Sequence, residues 1–170
     1  MSHSNKTETI KYDDGGWAEI QTLDGEYHGS WTVFRKDGSK SWQRYHQAGT
    51  KHGPDRKWFE NGQLKYERNY VNDKLHGQWL AWHQNGQLKN EAQYVKGEQR
   101  GLSRWYSVSG EVLAEMTIAD DGQRHGTQIA SFIFEEGPEP LRLGIATYDK
   151  SKYQGCEYFD DLPEGYSVKP

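Results

Sequence analysis

The chain has 170 residues and a formal net charge of −4; Leu, Ile, Val and Phe are scarce, whereas 7 Trp and 11 Tyr are present. This composition predicts a thin, largely β structure held together by aromatic rings, and the low net charge argues against disorder. The negative balance lies in residues 120–170, where 10 acids face 5 bases. It disfavours nucleic acids and anionic membranes, which need a basic surface, and favours a protein partner with a basic surface.

The compartment is indicated by two features. Cys156 is the single cysteine of the sequence, so an intrachain disulfide is excluded and a reducing compartment is favoured. The first residues contain no apolar run, and we therefore expect neither a signal peptide nor a membrane span. Together these features predict a cytoplasmic protein.

The first nine residues are polar and predict a flexible tail, after which a repeat begins. Two columns of glycine recur every 24 residues, the first continuing to Gly126 after 25. Four of the five glycines in the first column follow a histidine, namely His28, His52, His76 and His125. Such a period indicates a repeat array. The two columns are Gly29, Gly53, Gly77 and Gly101, and Gly38, Gly62, Gly86 and Gly110.

Each unit contains one strong hairpin signal. Asn61-Gly62 and Asn85-Gly86 stand between polar and aromatic runs, and both residues of such a pair accept the positive φ of a type I′ turn. One unit is therefore interpreted as a two-stranded hairpin plus a connecting loop. The predicted fold is all-β: an elongated, twisted antiparallel sheet of about 10–12 strands and about 50 Å, with a groove or concave face lined by aromatic columns.

Three regions follow from the pattern: the tail over residues 1–9, the repeat array over residues 10–126, and a degenerate unit with an irregular C-terminal cap over residues 127–170. In the last region the sequence aligns with the repeat unit only with insertions, and Pro138 and Pro140 suit an edge or loop. Atypical terminal units are typical of arrays because they close the ends against edge pairing.

The text from Tyr70 to Gly97, YVNDKLHGQWLAWHQNGQLKNEAQYVKG, resembles the MORN repeat variant, and the resemblance extends over residues 12–126. Bacterial chains of this variant include the YwqK-family antitoxins. The resemblance implies a hairpin-ladder fold, protein binding and, in the antitoxin branch, neutralisation of a toxin. The chain departs from the pattern at Lys40, where later units have Leu64 and Leu88, and at Gly53-Pro54-Asp55, where a Trp is expected.

Two polar columns invite a chemical interpretation. The recurring histidines suggest zinc, but one histidine per unit, two strands from the next, is too sparse for shared tetrahedral coordination. A turn glycine preceded by a hydrogen-bonding histidine is the favoured interpretation. Recurring glutamates suggest paired acid/base carboxylates, yet their constant slot favours a ladder role through pairing with Lys65 or Lys89. These glutamates are Glu67, Glu91 and Glu115.

The aromatic residues divide into packing and binding candidates. Trp58, Trp82, Tyr70 and Tyr94 recur in register and are predicted to stack between neighbouring hairpins. Aromatic residues outside the recurring columns are better interface candidates, because Trp and Tyr anchor protein interfaces. An acidic cluster near the C-terminus offers an electrostatic match to a basic partner. The partner-binding candidates are Trp42, Tyr66, Trp105, Tyr148, Tyr158, Asp160, Asp161 and Glu164.

The sequence contains no nucleophile elbow, phosphate-binding loop, dinucleotide fingerprint or HExxH motif. We therefore expect a non-enzymatic protein without cofactor or metal, most simply an immunity protein or antitoxin that neutralises a cognate toxin by direct binding. A structural scaffold bridging membrane or cytoskeletal partners is the alternative, and a carbohydrate-binding module is a third reading. The open sheet edges also allow a homodimer.

Overall fold

The computed structural model describes residues 4–119 in full and, beyond them, the backbone of the strands at 124–132, 142–149 and 152–159. In this described part, thirteen antiparallel strands form one sheet in which each strand neighbours only those adjacent to it in sequence, and no helix is present. The all-β hairpin-repeat prediction is confirmed. The strands are β1 (Asn5–Lys11), β2 (Trp17–Leu23), β3 (Glu26–Phe34), β4 (Lys40–Gln47), β5 (Thr50–Trp58), β6 (Leu64–Val71), β7 (Lys74–Trp82), β8 (Leu88–Val95), β9 (Glu98–Tyr106), β10 (Val112–Ile118), β11 (Arg124–Phe132), β12 (Arg142–Asp149) and β13 (Lys152–Phe159).

The N-terminal region departs from the prediction of a flexible tail over residues 1–9. Residues 5–9 belong to β1, which pairs with β2 from Asn5 opposite Leu23 to Lys11 opposite Trp17. All seven residues of β1 are exposed, so polar composition marks an edge strand here. The backbone ladder and a bond from Ser4 N to Asp24 Oδ1 at 3.0 Å hold the segment without any buried side chain.

The Asn-Gly loops are hairpins, but they are not type I′ turns. In the loop after β5, Gly62 has φ 83° whereas Asn61 is not among the residues of positive φ. Phe59 N donates to Gln63 O at 2.8 Å and Gly62 N to Phe59 O at 3.1 Å, as in a type I turn followed by a glycine bulge. Asn61 keeps its side chain inside the turn, where Oδ1 accepts from Gln63 N, so only the glycine needs a positive φ.

The two-residue type I′ turns lie at the other ends of the strands, between one unit and the next. At each of these turns both central residues have positive φ, and the flanking strand residues pair directly, as Val71 does with Lys74. The four turns are Asp24-Gly25, Ala48-Gly49, Asn72-Asp73 and Lys96-Gly97.

The His-Gly glycines lie inside strands rather than at turns, which corrects the interpretation as turn glycines. Gly29 has φ 91°, and the pairing of β2 with β3 jumps from Ile20–Trp31 to Thr22–Tyr27, so three residues oppose Gln21. This is a β-bulge that recurs in the following units, and glycine occupies it because a side chain at positive φ would be strained.

Few side chains are buried in the described part, as expected for a single sheet without a second layer. Ala18, Ile20, Tyr70 and Ala92 form the apolar set. The buried polar residues are Thr32, Gln43, Asp55, Asn90 and Ser103. The sheet is therefore stabilised by its hydrogen-bond ladder and by half-buried rings more than by an aliphatic core.

Candidate functional site

The register defines two faces of the sheet, because directly paired residues and every second residue along a strand share a face. We call the face that carries Trp42, Tyr66 and Trp105 the front face, and the face that carries Glu67 and Glu91 the back face. Both assignments follow from the pairs Lys57–Tyr66, Asn90–Trp105 and Leu80–Glu91.

The glutamate column forms a ladder on the back face, as predicted, but its partners are arginines. Arg56 Nε donates to Glu67 Oε2 at 2.6 Å, and Arg104 Nε donates to Glu115 Oε1 at 2.5 Å. Arg104 Nη1 also lies 3.4 Å from Glu91 Oε1. These hydrogen bonds raise the pKa of Arg56 and of Arg104.

The pairing with Lys65 or Lys89 is wrong for a geometric reason. Each arginine stands directly opposite its glutamate in the register, as Arg56 does to Glu67. Lys65 instead occupies the irregular register position beside the Asn-Gly loop, and its Nζ lies 5.4 Å from the centre of the Phe59 ring. Cross-strand position, rather than closeness in sequence, decides the ion pair.

The described histidines of the column differ in their hydrogen-bond contacts. Among the described residues no group of three or more His, Cys, Asp or Glu side chains could hold a metal ion. His28 Nδ1 accepts a 3.5 Å bond from Ala48 N, which fits the structural role predicted for the column. His52 Nδ1, by contrast, is buried without a partner in this part of the chain.

Rings of one column pack on different neighbours instead of stacking on each other. Tyr94 meets Trp79 edge-on at a centroid distance of 6.2 Å. Tyr70 lies beneath cations, with Arg68 at 5.5 Å and Lys51 at 5.5 Å from the ring centre. For Tyr70 and Tyr94, these unit-specific contacts replace the predicted stacking between neighbouring hairpins.

The three described aromatic candidates lie in one row across the front face. Trp42 pairs with Lys57, which pairs with Tyr66. The row continues through two small residues to Trp105, in the order Val33, Trp42, Lys57, Tyr66, Ala81, Asn90, Trp105 and Ala114. Its members occupy two slots of the unit, and in each slot the residue changes from one unit to the next. The front row is therefore variable between units, whereas columns such as Glu67, Glu91 and Glu115 repeat.

Within the front row, Ala81 and Asn90 leave a groove between larger rings. Its volume is about 520 Å³, and Tyr66, Trp79 and Trp105 contribute half-buried rings to its wall. Asn90 is buried, and its Nδ2 donates to Arg104 O at 2.8 Å. Lys65 and Lys89 lie on the exposed rim and give the groove a cationic edge.

A second row of the front face contains a charged cluster at its centre. Asp55 is fully buried, and its Oδ2 accepts hydrogen bonds from Arg44 Nη2 and from Arg68 Nε, both at 3.0 Å. Burial alone would lower the pKa of Arg68, but the Asp55 carboxylate outweighs it and the pKa is raised. The repeat pattern predicts Asp55 only as a departure and does not predict the role of the two arginines. Their recurrence 24 residues apart, on either side of Asp55, was the available signal.

At the regularly paired positions of strands β3 to β10, the front face is basic. Its charged residues at those positions are the cations Arg44, Lys51, Lys57 and Arg68 and the anion Asp55, whose charge is buried. Glutamates of the ladder face the other way. A partner on the front face therefore meets cations and rings.

The remaining candidates lie outside the fully described part. Tyr148 falls in β12 and Tyr158 in β13, strands for which only the backbone is described. Asp160, Asp161 and Glu164 lie outside the described residues. The structure thus places three of the eight predicted positions, Trp42, Tyr66 and Trp105, in one row of the front face. It also adds Arg44 and Arg68 beside them.

A single-layer repeat sheet with a variable row on one face defines a repeat-type binding module. The family model described as the MORN repeat variant matches residues 51–72 and 75–96, which cover the units around β5 to β8. MORN repeats are generic binding modules of the repeat type, and these matches support the predicted MORN and β-hairpin repeats. No helix in the described part is long and apolar enough to cross a membrane.

No curated protein sequence matches the chain significantly. One similar solved structure is that of accessory secretory protein 1, 2 and 3 in Streptococcus pneumoniae, with 15% identity and a TM-score of 0.20. The likeness covers 70% of this chain and 18% of that one, so the chain spans less than a fifth of the length of the structure that it matches. These matches do not confirm the resemblance to YwqK-family antitoxins, which stays a prediction.

Proposed function

We propose that this chain is a non-enzymatic, cytoplasmic protein-binding repeat protein that acts as an immunity protein or antitoxin and neutralises a cognate bacterial toxin by direct binding. The observation that carries the binding role is the variable front row. Repeat arrays bind partners through positions that differ between units, while recurring positions maintain the fold. Here the differing positions include three large rings, and two of them, Tyr66 and Trp105, line a groove.

The physical character of the row suits a protein partner. Trp42, Tyr66 and Trp105 are each half-buried, so they offer apolar area and are already partly ordered before binding. Arginine lies beside them, and Trp, Tyr and Arg are the residues that most often dominate binding energy at protein interfaces.

The expected charge of the partner differs between the C-terminal acidic cluster and the front face. A basic toxin surface was predicted from Asp160, Asp161 and Glu164, and that prediction stays with them. The front face carries the opposite sign and favours an acidic contact. A toxin that touches both regions would thus present acidic groups to the front face.

Co-expression with the product of the neighbouring gene tests the antitoxin role. We expect that product to stop growth alone, and we expect this chain to restore growth and to co-purify with it. The proposal fails if the neighbouring product is harmless, or if it is toxic and is neither bound nor silenced. Co-sedimentation with liposomes or filaments in place of toxin binding would support the scaffold alternative.

Alanine substitutions test the front face within the same assay. Tyr66→Ala and Trp105→Ala are expected to weaken toxin binding by about tenfold or more, as truncation of an interface anchor does. Tyr45→Ala is the matched control, because Tyr45 is a half-buried ring in the same array whose alternation from Arg44 places it on the back face. An equal loss of toxin binding in Tyr45→Ala would indicate that the binding surface is not the front row.

A further inference from the structure

The cluster of Arg44, Asp55 and Arg68 places charge at slots that hold uncharged residues in the other units, most of them apolar. The slot of Asp55 holds Trp31 and Trp79 in the adjacent units, and the slot of the two arginines holds Ile20, Ala92 and Met116 elsewhere. A buried ion pair is seldom more stabilising than a well-packed apolar group of similar volume. Stability therefore does not explain why the centre of this row is charged.

The cluster contains two cationic side chains and one anionic side chain. Two guanidinium groups share the single carboxylate of Asp55, and both donate to the same oxygen. Within the described residues, no further acceptor meets Arg44 Nη1 or either Nη atom of Arg68. The side chains of Arg44 and Arg68 are 20% and 28% exposed, so donors remain available at the surface. The cluster thus has a net positive charge and unused N–H groups on the front face.

Aromatic rings hold both arginines in place. The Arg44 guanidinium lies 4.6 Å from the centre of the Trp42 ring, and that of Arg68 lies 4.9 Å from the Tyr66 ring. Both also lie over Tyr70, which is buried. Two arginines that are stacked and anchored by one carboxylate lose little side-chain freedom when they bind an anion, which favours affinity.

We propose that Arg44 and Arg68 form a carboxylate-binding site that receives an aspartate or glutamate side chain of the protein partner, with Asp55 as the residue that positions them. The proposal rests on the proposed function for the existence of that partner. Planar guanidinium groups match the geometry of a carboxylate. Lys51 and Lys57 add positive charge on the same face, so an acidic segment is attracted along the row and a basic one is repelled.

A peptide titration tests the site without the natural partner. The probe is a capped peptide with glutamates on either side of a tyrosine, and the comparison peptide has glutamine in place of each glutamate. We expect the glutamate peptide to bind at least about tenfold more tightly, because charge-assisted hydrogen bonds are lost in the amide. We also expect it to shift the side-chain ¹⁵N–¹H signals of Arg44 and Arg68.

Four variants locate the binding. Arg44→Gln and Arg68→Gln are each expected to weaken the glutamate peptide by about tenfold. Arg56→Gln is the matched control. Arg56 follows Asp55 in the sequence and is also ion-paired, but it lies on the back face. Since a single arginine variant leaves Asp55 incompletely paired, R44I/D55W/R68A supplies a second test: it restores residue types that the same slots hold in other units, and we expect a folded protein with no preference for glutamate.

Several outcomes would overturn the site. Equal affinity for the glutamate and glutamine peptides would do so, as would an equal loss in Arg56→Gln, which would indicate general attraction by charge. Tighter binding of the glutamine peptide with a free C-terminus would assign the site to chain ends, and tighter binding of inorganic phosphate would assign it to phosphate.

The site and the proposed function fail in different ways. If the neighbouring gene product is harmless but Arg44→Gln still weakens binding of the glutamate peptide, the antitoxin role fails and the site stands. If toxin is neutralised through Tyr66 and Trp105 while Arg44→Gln and Arg68→Gln bind toxin and peptide normally, the function stands and the site fails.

Discussion

At the scale of single residues, the front face places an ionisable ring among aromatic ones. His46 occupies the slot that holds Tyr70 and Tyr94 in the next two units, and its ring lies 5.6 Å from Tyr27. Burial lowers the pKa of His46, and the neighbouring Arg44 lowers it further. The neutral form is therefore the one that the folded chain prefers.

His46 should make stability depend on pH. Because the pKa of His46 is lower in the folded than in the unfolded chain, the unfolded chain binds more protons as the pH falls through about 6.5, and the free energy of unfolding decreases there. Above that range the residue contributes no slope. His46→Tyr, which supplies the ring of the other units, is expected to flatten the profile between pH 7 and the lower folded pKa. Urea unfolding at several pH values measures it, and an unchanged slope in the variant would contradict the assignment.

Another residue-scale feature is a non-glycine residue in a strained backbone conformation. Ala48 has φ 45° as the first central residue of a type I′ turn, a conformation that costs an L-residue such as alanine about 1 kcal/mol. Asn tolerates it better and is favoured in such turns. Ala48→Asn is expected to raise the free energy of unfolding by up to about 1 kcal/mol. The urea midpoint should rise at constant slope, and a lower midpoint would count against the turn assignment.

At the scale of elements, the repeating bulge determines how each strand crosses the sheet. Gly77 in β7 has φ 89°, and a Cβ there would meet nothing within 4 Å. Gly29 in β3 has φ 91°, but a Cβ there would collide with the side chain of Gln21, whose Oε1 accepts from Ser30 N at 2.7 Å. The two glycines thus share a backbone requirement and differ in their surroundings.

Alanine at these two positions separates backbone strain from steric contact. Gly77→Ala is expected to destabilise by about 1–2 kcal/mol through φ alone. Gly29→Ala should lose about 1 kcal/mol more, because the hydrogen bond from Ser30 to Gln21 is displaced as well. Thermal unfolding of both variants provides the comparison. Equal losses would mean that Gln21 moves aside without cost.

The same elements show which features of the fold the local sequence predicts. The glycine period predicted the hairpins because turns are decided by a few neighbouring residues. It misassigned the type I′ turns, since Ala48-Gly49 and Asn72-Asp73 lack the strongest signals and Asn61-Gly62 has them. The difference depends on loop length: the loop after β5 leaves room for a type I turn and a separate glycine, so Asn61 is not forced to positive φ.

At the scale of the whole molecule, the sheet is a one-layer ladder in which each unit contacts its neighbours in sequence. Stability in such an array is approximately a sum over units and their interfaces. Binding positions can then vary from unit to unit while columns such as Glu67, Glu91 and Glu115 keep the register. Under the proposed function, the front row and the ion-paired back face divide these two tasks between the faces.

The charged cluster offers a test of that division. In R44I/D55W/R68A each new residue is one that another unit places in the same slot, and we expect the free energy of unfolding to be unchanged or to rise by about 1–4 kcal/mol. Asp55→Asn, which removes the shared anion and leaves two cations, should destabilise by about 1–3 kcal/mol. Calorimetric melting of both variants distinguishes the cases. A large loss in the triple variant would show that the ion cluster itself stabilises the sheet.

The amino-acid sequence by itself determined the array: the period of 24, the hairpin in each unit, the glycine columns and the absence of recognisable catalytic motifs, all of which depend on residues close together in the chain. Only the tertiary structure decided which residues of different strands stand opposite each other, because the glycine bulges shift the register within each unit. It also decided the ionic partners, since Arg44 and Arg68 reach Asp55 across neighbouring strands from 11 and 13 residues away. Pairing across strands follows from position in the sheet, which no single unit of the sequence contains.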